Sequence, residues 1–267
     1  MRVALFSDVH GNAVALAAVL TAIRRESPDV VAFLGDAVLR VPMPAETMAL
    51  LRSLPHIAVR GNYDWMLTGD FPNREQRFAA EPFLPAEIAW VREQLSTEDT
   101  TYLDQLPMTV RLFSGTPQEI VVCHASPGKC FGGLFKVNSH FKPMTDEQAL
   151  ALLEGEPATL IACGHTHCGM DRTVGRYRII NAGSVSLGWN PQDTSDDRAW
   201  WVLLDWRREG WQVQFRSASY DHIRVWQAYE AWELWPLMQE HRKPRGWGEA
   251  VNKWAMRQAA QVAHHNI

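Results

Sequence analysis

Cysteine is scarce, with four in 267 residues, at Cys123, Cys130, Cys163 and Cys168. Four thiols cannot frame a disulfide-held fold of this length, and their spacing makes no CxxC zinc module. They are read as small apolar packers, and only Cys168, directly after a histidine, invites a thiolate-ligand reading. A run of about 18 apolar residues, enough to span a bilayer, is missing. Asp8, His10, Gly11 and Asn12 interrupt the N-terminal segment ahead of Ala13–Leu20, so it does not read as an export signal. Reduced thiols in a cytoplasm are the expected setting. Positive charge is not in surplus, with 26 Lys and Arg against 30 Asp and Glu and a net charge of −4. That balance argues against nucleic acid or an acidic membrane as the main partner. No GxxxxGK[ST] loop occurs, which removes P-loop chemistry. Repeats and low-complexity tracts are absent too. With 46% hydrophobic and 21% charged residues the chain reads as globular rather than disordered.

What is present is alternation. Val3–Phe6, Val30–Leu34 and Ile57–Val59 are apolar runs of strand length. Between them lie two helical stretches. The first is capped by Asn12, carries Leu16, Leu20 and Ile23 at helical spacing, and ends at Pro28. The second runs from Pro44 to Leu54 before Pro55. This order predicts a parallel sheet with right-handed crossovers. Residues 65–118, with five prolines and several aromatics, break the rhythm. They read as helices and loops over the sheet end, an insertion that is either structural or a substrate lid. Alternation returns with strands at Ile120–Cys123 and Leu160–Cys163 and a helix at Asp146–Leu153. Arg178–Ile180, Trp200–Leu204 and Trp211–Phe215 suit antiparallel pairing, and Asp193–Asp197 reads as a solvated loop. The division expected is a catalytic domain over 1–218 and a tryptophan-rich helical appendage over 219–267. In the appendage Trp226, Tyr229, Trp232 and Trp235 recur in steps of three, as on one helix face, with Trp247 and Trp254 beyond. Packing on the core is the first reading of that face, and a homodimer interface is its rival.

Five polar clusters follow five of these strands: Asp8-Val-His10, Gly35-Asp36, Gly61-Asn62-Tyr63-Asp64, His124 and Gly164-His165-Thr166-His167. Open α/β sheets gather ligands beyond the carboxyl ends of their strands. Alone, an Asp-x-His or a Gly-Asp carries little. Five clusters in series, each after a strand, point to one site. Two carboxylates, one amide oxygen and four imidazoles make a mixed oxygen and nitrogen set that suits Mn, Fe, Zn or Co, with Mg weaker. Seven donors exceed what one such ion takes. They suit two ions about 3.5–4 Å apart if a carboxylate bridges.

This series resembles the calcineurin-like metallophosphoesterase superfamily, and most of all its small bacterial phosphodiesterases of the YfcE type. The resemblance runs from Arg2 to about Phe215 and leaves the tail outside. It implies an α/β fold, an αββα four-layer sandwich of two mixed sheets flanked by helices. It also implies two divalent ions, Mn first, with Fe, Zn, Co, Ni or Mg as alternatives. One would take Asp8, His10 and His167, the other Asn62, His124 and His165, and Asp36 would bridge. Asn181-Ala-Gly-Ser184 is similar to a structural Asn-Pro-Gly-Ser turn of the family. One departure stands out: Tyr63 occupies the place after the metal-binding Asn where many members carry His. A phenol of pKa about 10 can donate a hydrogen bond but is poorly matched as an acid at neutral pH. Asp64 either orients a ligand or starts a helix on the surface.

The chemistry implied is phosphoester hydrolysis, with water activated between two ions attacking phosphorus in line. Asp36, His124 and Tyr63 are the expected catalytic residues. Asn12 and Arg60 are the expected phosphate contacts, and Lys136 and His140 are weaker ones. A nucleotide-type phosphodiester, a cyclic nucleotide or dinucleoside polyphosphate, is the preferred substrate. Tyr63, Trp65, Phe71 and Trp90 are available to stack a base. A phosphomonoesterase and a non-catalytic scaffold of the same fold are the rivals. His264 and His265 read as inert.

Overall fold

The structure is a computed structural model, and it describes residues 1–132, 144–186 and 198–241. Lys136, His140, Asp193–Asp197, Trp247, Trp254, His264 and His265 lie outside the described residues.

Chain order is β1 (Arg2–Phe6), α1 (Ala13–Glu26), β2 (Val30–Phe33), α2 (Pro44–Arg52), β3 (Ile57–Ala58), α3 (Asn62–Thr68), α4 (Arg74–Ala80), α5 (Leu84–Gln94) and α6 (Thr97–Gln105). Next come β4 (Thr109–Leu112), β5 (Ile120–Cys123), α7 (Asp146–Leu152), β6 (Leu160–Cys163), β7 (Met170–Val174) and β8 (Tyr177–Asn181). A long hairpin, β9 (Ala199–Arg207) and β10 (Gly210–Ala218), precedes α8 (His222–Ala231) and α9 (Trp235–His241).

Among the described residues these strands form two five-stranded mixed sheets, β10-β9-β1-β2-β3 and β4-β5-β6-β8-β7. Alternation along the strands makes the layers. Val3, Leu5, Ala32 and Leu34 of the first sheet face Ile120, Val122, Leu160, Ala162 and Ile180 of the second in one buried cluster. The opposite faces carry helices. Ala4, Phe6, Phe33 and Leu203 pack under Leu16, Leu20 and Ile23 of α1 and Met48 and Leu51 of α2. Val121, Ile161 and Ile179 pack under Ala149 and Leu153 beside α7. The expected αββα sandwich is therefore the architecture.

Local chemistry explains the helix ends. Asn12 Oδ1 accepts from Ala15 N at 3.0 Å to start α1, and Ser27 ends it in the left-handed region at φ 48. Pro44 at the first position starts α2, where the missing N–H costs nothing.

Three pieces differ from the sequence reading. The stretch 65–118 is not only helix and loop, because Thr109–Leu112 pairs antiparallel with β5. β8 runs parallel to β6, and its antiparallel neighbour is β7, an edge strand the reading lacked. The tail's aromatics do not share one helix: α8 ends at Trp232, which is extended (φ −79, ψ 121). Pro236 explains why no single helix continues, since it has no N–H to give to the Trp232 carbonyl. Val225, Tyr229, Trp232 and Met238 instead pack with Val41 and Phe83 in a cluster of their own. Trp232 meets Trp90 of α5, ring centres 5.4 Å apart.

Candidate metal centre

Sheet topology brings the five polar clusters to one place. Loops after β1, β2 and β3 deliver Asp8, His10, Asp36 and Asn62 from one sheet. Loops after β5 and β6 deliver His124, His165 and His167 from the other. The loops are stitched by backbone: Asp8 N donates to Gly35 O at 3.0 Å, His10 N to Asp36 O at 3.0 Å, and Gly164 N to His124 O at 2.9 Å.

The donor atoms form two overlapping groups. In the first, His167 Nε2 lies 3.1 Å from Asp8 Oδ1 and 3.1 Å from His10 Nε2, and His10 Nε2 lies 3.6 Å from Asp8 Oδ1. In the second, Asn62 Oδ1 lies 3.0 Å from His124 Nε2 and 2.7 Å from His165 Nδ1. Asp36 Oδ2 reaches both, 3.8 Å from His10 Nε2 and 3.3 Å from His124 Nε2. Two sets, Asp8 with His10 and His167 and Asp8 with Asp36 and His124, each hold their ligand atoms within 4.8 Å.

Hydrogen bonding alone does not explain this convergence. Asp8 Oδ1 is buried with no aligned donor, although His167 Nε2 is 3.1 Å away. Ligand bonds of about 2.0–2.2 Å would space neighbouring donors at roughly 3.0–3.5 Å. Asp8, His10 and His167, and Asp8, Asp36 and His124, come near that spacing and could each hold a divalent cation, while Asn62 is hydrogen-bonded to His124 and His165. Electrostatics agrees. Burial and the nearby His124 push His165 down to about 3, and burial lowers His10, so both imidazoles keep a lone pair. Burial alone would raise Asp8, but His167 and His10 outweigh it and hold the carboxyl well below its usual range. Burial works against charge on His124 as well, yet Asp36 and Asp8 lift it to about 9.

The backbone is strained where the donors sit. Asp8, His10, Asp36, His165 and His167 all have positive φ, between 51 and 69. Non-glycine residues adopt this region rarely, and such outliers gather at functional sites. Two glycines allow the loops to close. A Cβ on Gly61 would fall on Asp36 N and Oδ1, and one on Gly164 would fall on Ser7 Oγ.

Supporting groups are buried too. Asp64 is 0% exposed, not a surface helix start. Its carboxylate accepts from Asp36 N at 2.9 Å, Ala37 N at 2.8 Å and Gly61 N at 2.8 Å, which clamps two loops together. Burial and the Asp36 charge push it up to about 6. Asn181 Nδ2 donates to Gly164 O at 2.6 Å, and Ser184 Oγ donates to Asp8 O at 2.8 Å, so the Asn181–Ser184 turn braces loops from both sheets.

The family is now decided by comparison. Residues 1–196 match the calcineurin-like phosphoesterase superfamily domain. The chain belongs to that superfamily. A metallophosphoesterase from Sphaerobacter thermophilus has a solved structure that superposes with a TM-score of 0.62 at 28% identity, over 86% of this chain and 93% of that one. The hypothetical protein PH1004 from Pyrococcus horikoshii OT3 shares the fold, with a TM-score of 0.68 at 20% identity over 89% and 97% of the two chains. An uncharacterized protein of Methanocaldococcus jannaschii, MJ0912, is 30% identical over 129 residues, 47% of this chain and 49% of its own. The matched segment thus spans about half the length of that curated relative. As a superfamily member the chain carries a phosphoesterase fold with residues that can bind divalent metal. Among the described residues no helix is long and apolar enough to cross a membrane.

The other expected site residues fall as follows. Tyr63 is half-buried; its N–H donates to Asp36 Oδ1 at 2.8 Å and its ring edge meets His10 at 5.2 Å between centres. Asn12 caps α1, and its Nδ2 donates to Ser186 Oγ at 3.4 Å. Arg60 turns to α6, with its N on Pro107 O at 2.8 Å and its guanidinium 3.6 Å from Asp104. Of the expected stacking residues, Trp65 is half-buried with its ring 5.8 Å from Phe131, whereas Phe71 is buried in the core. Cys168 is buried with a thiol pushed up to about 11 by burial, which disfavours a thiolate there.

The sequence reading missed Arg40, Glu81 and Glu87. The Arg40 guanidinium carbon sits 4.4 Å from the Tyr63 ring centre, and the group pairs with Glu81 and, at 3.7 Å, with Glu87. One signal was available: Glu87 interrupts the apolar stripe Leu84, Ile88 and Val91, and a fully buried carboxylate requires a partner.

Proposed function

We propose that this chain is a binuclear metal-dependent phosphodiesterase acting on a nucleotide-type diester, a cyclic nucleotide or a dinucleoside polyphosphate. The observation that carries the reading is Asp36 Oδ2, placed within 3.8 Å of His10 Nε2 and 3.3 Å of His124 Nε2, where a bridging carboxylate belongs. Asp8, His10 and His167 would hold one cation, and Asn62, His124 and His165 the other. Manganese is the first candidate among the ions this mixed donor set suits, with Fe, Zn and Co behind it, and the protein is taken to work in the cytoplasm. Two bound cations supply Lewis acidity toward the phosphate and an activated water.

The chain's own residues do the rest. Asp64 fixes the loop bearing Asp36, and the Asn181–Ser184 turn fixes the loops bearing Asp8 and His165. His124 Nδ1 sits 2.6 Å from Leu34 O, which orients the ring and leaves Nε2 for the site. Asn12, through its amide N–H, is the candidate to donate to a phosphate oxygen, Arg60 would have to leave Asp104 to do so, and Trp65 is the candidate to stack a base. Residues 1–218 make the catalytic unit, with the helical part of 65–118 as its cap and 219–267 as an appendage.

The test is metal content together with the initial-rate ratio of bis-p-nitrophenyl phosphate to p-nitrophenyl phosphate in excess Mn²⁺. Two ions per chain and a ratio well above one are expected. A ratio well below one makes it a monoesterase, and no metal with no turnover leaves a scaffold. Trp65→Ala should raise KM for nucleotide esters and leave that for a small aryl phosphate unchanged. Equal effects on both would remove the stacking role.

A further inference from the structure

Arg40 has no part in the reading so far, yet the fold holds it tightly. It is 7% exposed and its backbone is left-handed at φ 89. Its N–H donates to Glu87 Oε1, its Nη2 donates to Glu81, and its carbonyl accepts from the Tyr229 hydroxyl at 3.0 Å. So placed, the guanidinium lies against the Tyr63 ring and its Nη2 donates to the Tyr63 hydroxyl.

A guanidinium has donors and no acceptor. The Tyr63 oxygen must therefore accept, and its own hydrogen is turned to another group. Glu81 and Glu87 balance the Arg40 charge, so the arginine brings no surplus to capture an anion. What it gives is direction and polarisation to a phenol whose ring edge already meets His10. The seven-donor set addresses the phosphoryl group. The leaving oxygen gains charge as its bond to phosphorus breaks, and a hydrogen bond aimed at it would offset that charge.

We propose that Tyr63 donates a hydrogen bond to the leaving-group oxygen and that Arg40 is the positioning residue that aims it, which makes the site selective for esters of aliphatic, ribose-like alcohols. This rests on the phosphoesterase reading above. The P–O bond breaks with its electron pair left on the leaving oxygen. Tyr63 keeps its proton, and solvent water supplies the one that completes the alcohol.

The leaving group is the variable that separates this role from a structural one. The substrates are thymidine 5′-phosphate esters of p-nitrophenol and of an aliphatic alcohol, assayed with the Mn²⁺-loaded full chain. Tyr63→Phe keeps the ring and its stacking on the guanidinium but removes the hydroxyl and its bond to Arg40. It should lower kcat/KM about 100-fold for the aliphatic ester, the size of losing one oxyanion donor, and only a few-fold for the p-nitrophenyl ester. Arg40→Lys keeps charge but loses the planar fork. It should show the same dependence in the wild-type background and none in the Tyr63→Phe background. An active wild type whose Tyr63→Phe variant loses both esters equally overturns this proposal alone. A wild type that binds no metal and cleaves neither ester overturns the parent reading and this one with it.

Discussion

Asp64→Asn separates stability from function at the candidate centre. In the metal-free wild type near neutral pH, Asp64 ionises in a place where its pKa is about 6 against an ordinary 3.8. That difference costs the fold about 3 kcal/mol, and an amide escapes it. The amide has one oxygen for three N–H donors that sit 2.8–2.9 Å from the carboxylate. At least one donor then faces an NH₂ group, at about 1–3 kcal/mol, and the other bonds lose charge assistance worth about 1 kcal/mol each. The two effects nearly cancel, so urea unfolding of chelator-treated protein should show a change of about 2 kcal/mol or less. Geometry does not cancel. Asp36 N, Ala37 N and Gly61 N no longer meet on one anchor, so Mn²⁺ affinity should fall about 10–100-fold in a calorimetric titration, the usual effect of losing a group that orients a metal ligand. The pH dependence has a defined sign. A carboxyl with a raised folded pKa favours the folded state below pH 4, and that contribution is lost as pH rises through 6. Wild type should therefore lose about 3 kcal/mol relative to the Asn variant across that window. An Asn variant that binds Mn²⁺ as tightly as wild type would refute the clamp.

Gly61→Ala places a Cβ on the Asp36 backbone and carboxylate; desalted protein should carry little metal by elemental analysis and show no esterase activity. Metal uptake at pH 7 should release a proton, because His124 is lifted to about 9 in the metal-free chain and a cation takes only neutral imidazole. Isothermal titration in buffers of different ionisation enthalpy reads that proton, and its absence would show His124 already neutral. The same raised value means that the His124 contribution to metal-free stability is fully present below about pH 6.5 and lost as pH rises through 9. Trp232→Ala should cost about 3–5 kcal/mol in unfolding, since Trp232 is 5% exposed against Trp90 and Tyr229, while metal content per chain should match wild type; an unchanged midpoint would mean that this packing adds nothing.

Much of this molecule is readable from its residues because buried parallel strands are continuous apolar runs. Val30–Leu34 and Leu160–Cys163 end at a glycine, Ile120–Cys123 at His124 and Val3–Phe6 at Ser7, and each is followed by a loop to the centre. The missed parts share the opposite property. β4 (TVRL) and β7 (MDRTV) are edge strands with exposed or half-exposed polar residues, so neither is an apolar run. The parallel pairing of β8 with β6 is a tertiary choice that no local pattern records. Tail aromatics in steps of three suggest a single helix, but Trp232 is extended and Pro236 follows. Arg40 is harder to read for another reason: Glu87 alone marks the cluster, and the arginine's carboxylate partners lie 41 and 47 residues further on, so the three meet only in the folded chain.

The donors are divided between the two sheets, with Asp8, His10, Asp36 and Asn62 on one and His124, His165 and His167 on the other. Any cation seated there is a rivet through the sandwich. One group would join Asp8 and His10 to His167, the other Asn62 and Asp36 to His124 and His165. Pulling the layers apart must then first eject ions, so longevity becomes a function of free metal concentration. At one hundred times the dissociation constant each ion adds about 2.7 kcal/mol to the folded state. A cell short of that metal would lose the protein itself along with its activity, through faster unfolding and turnover of the empty chain.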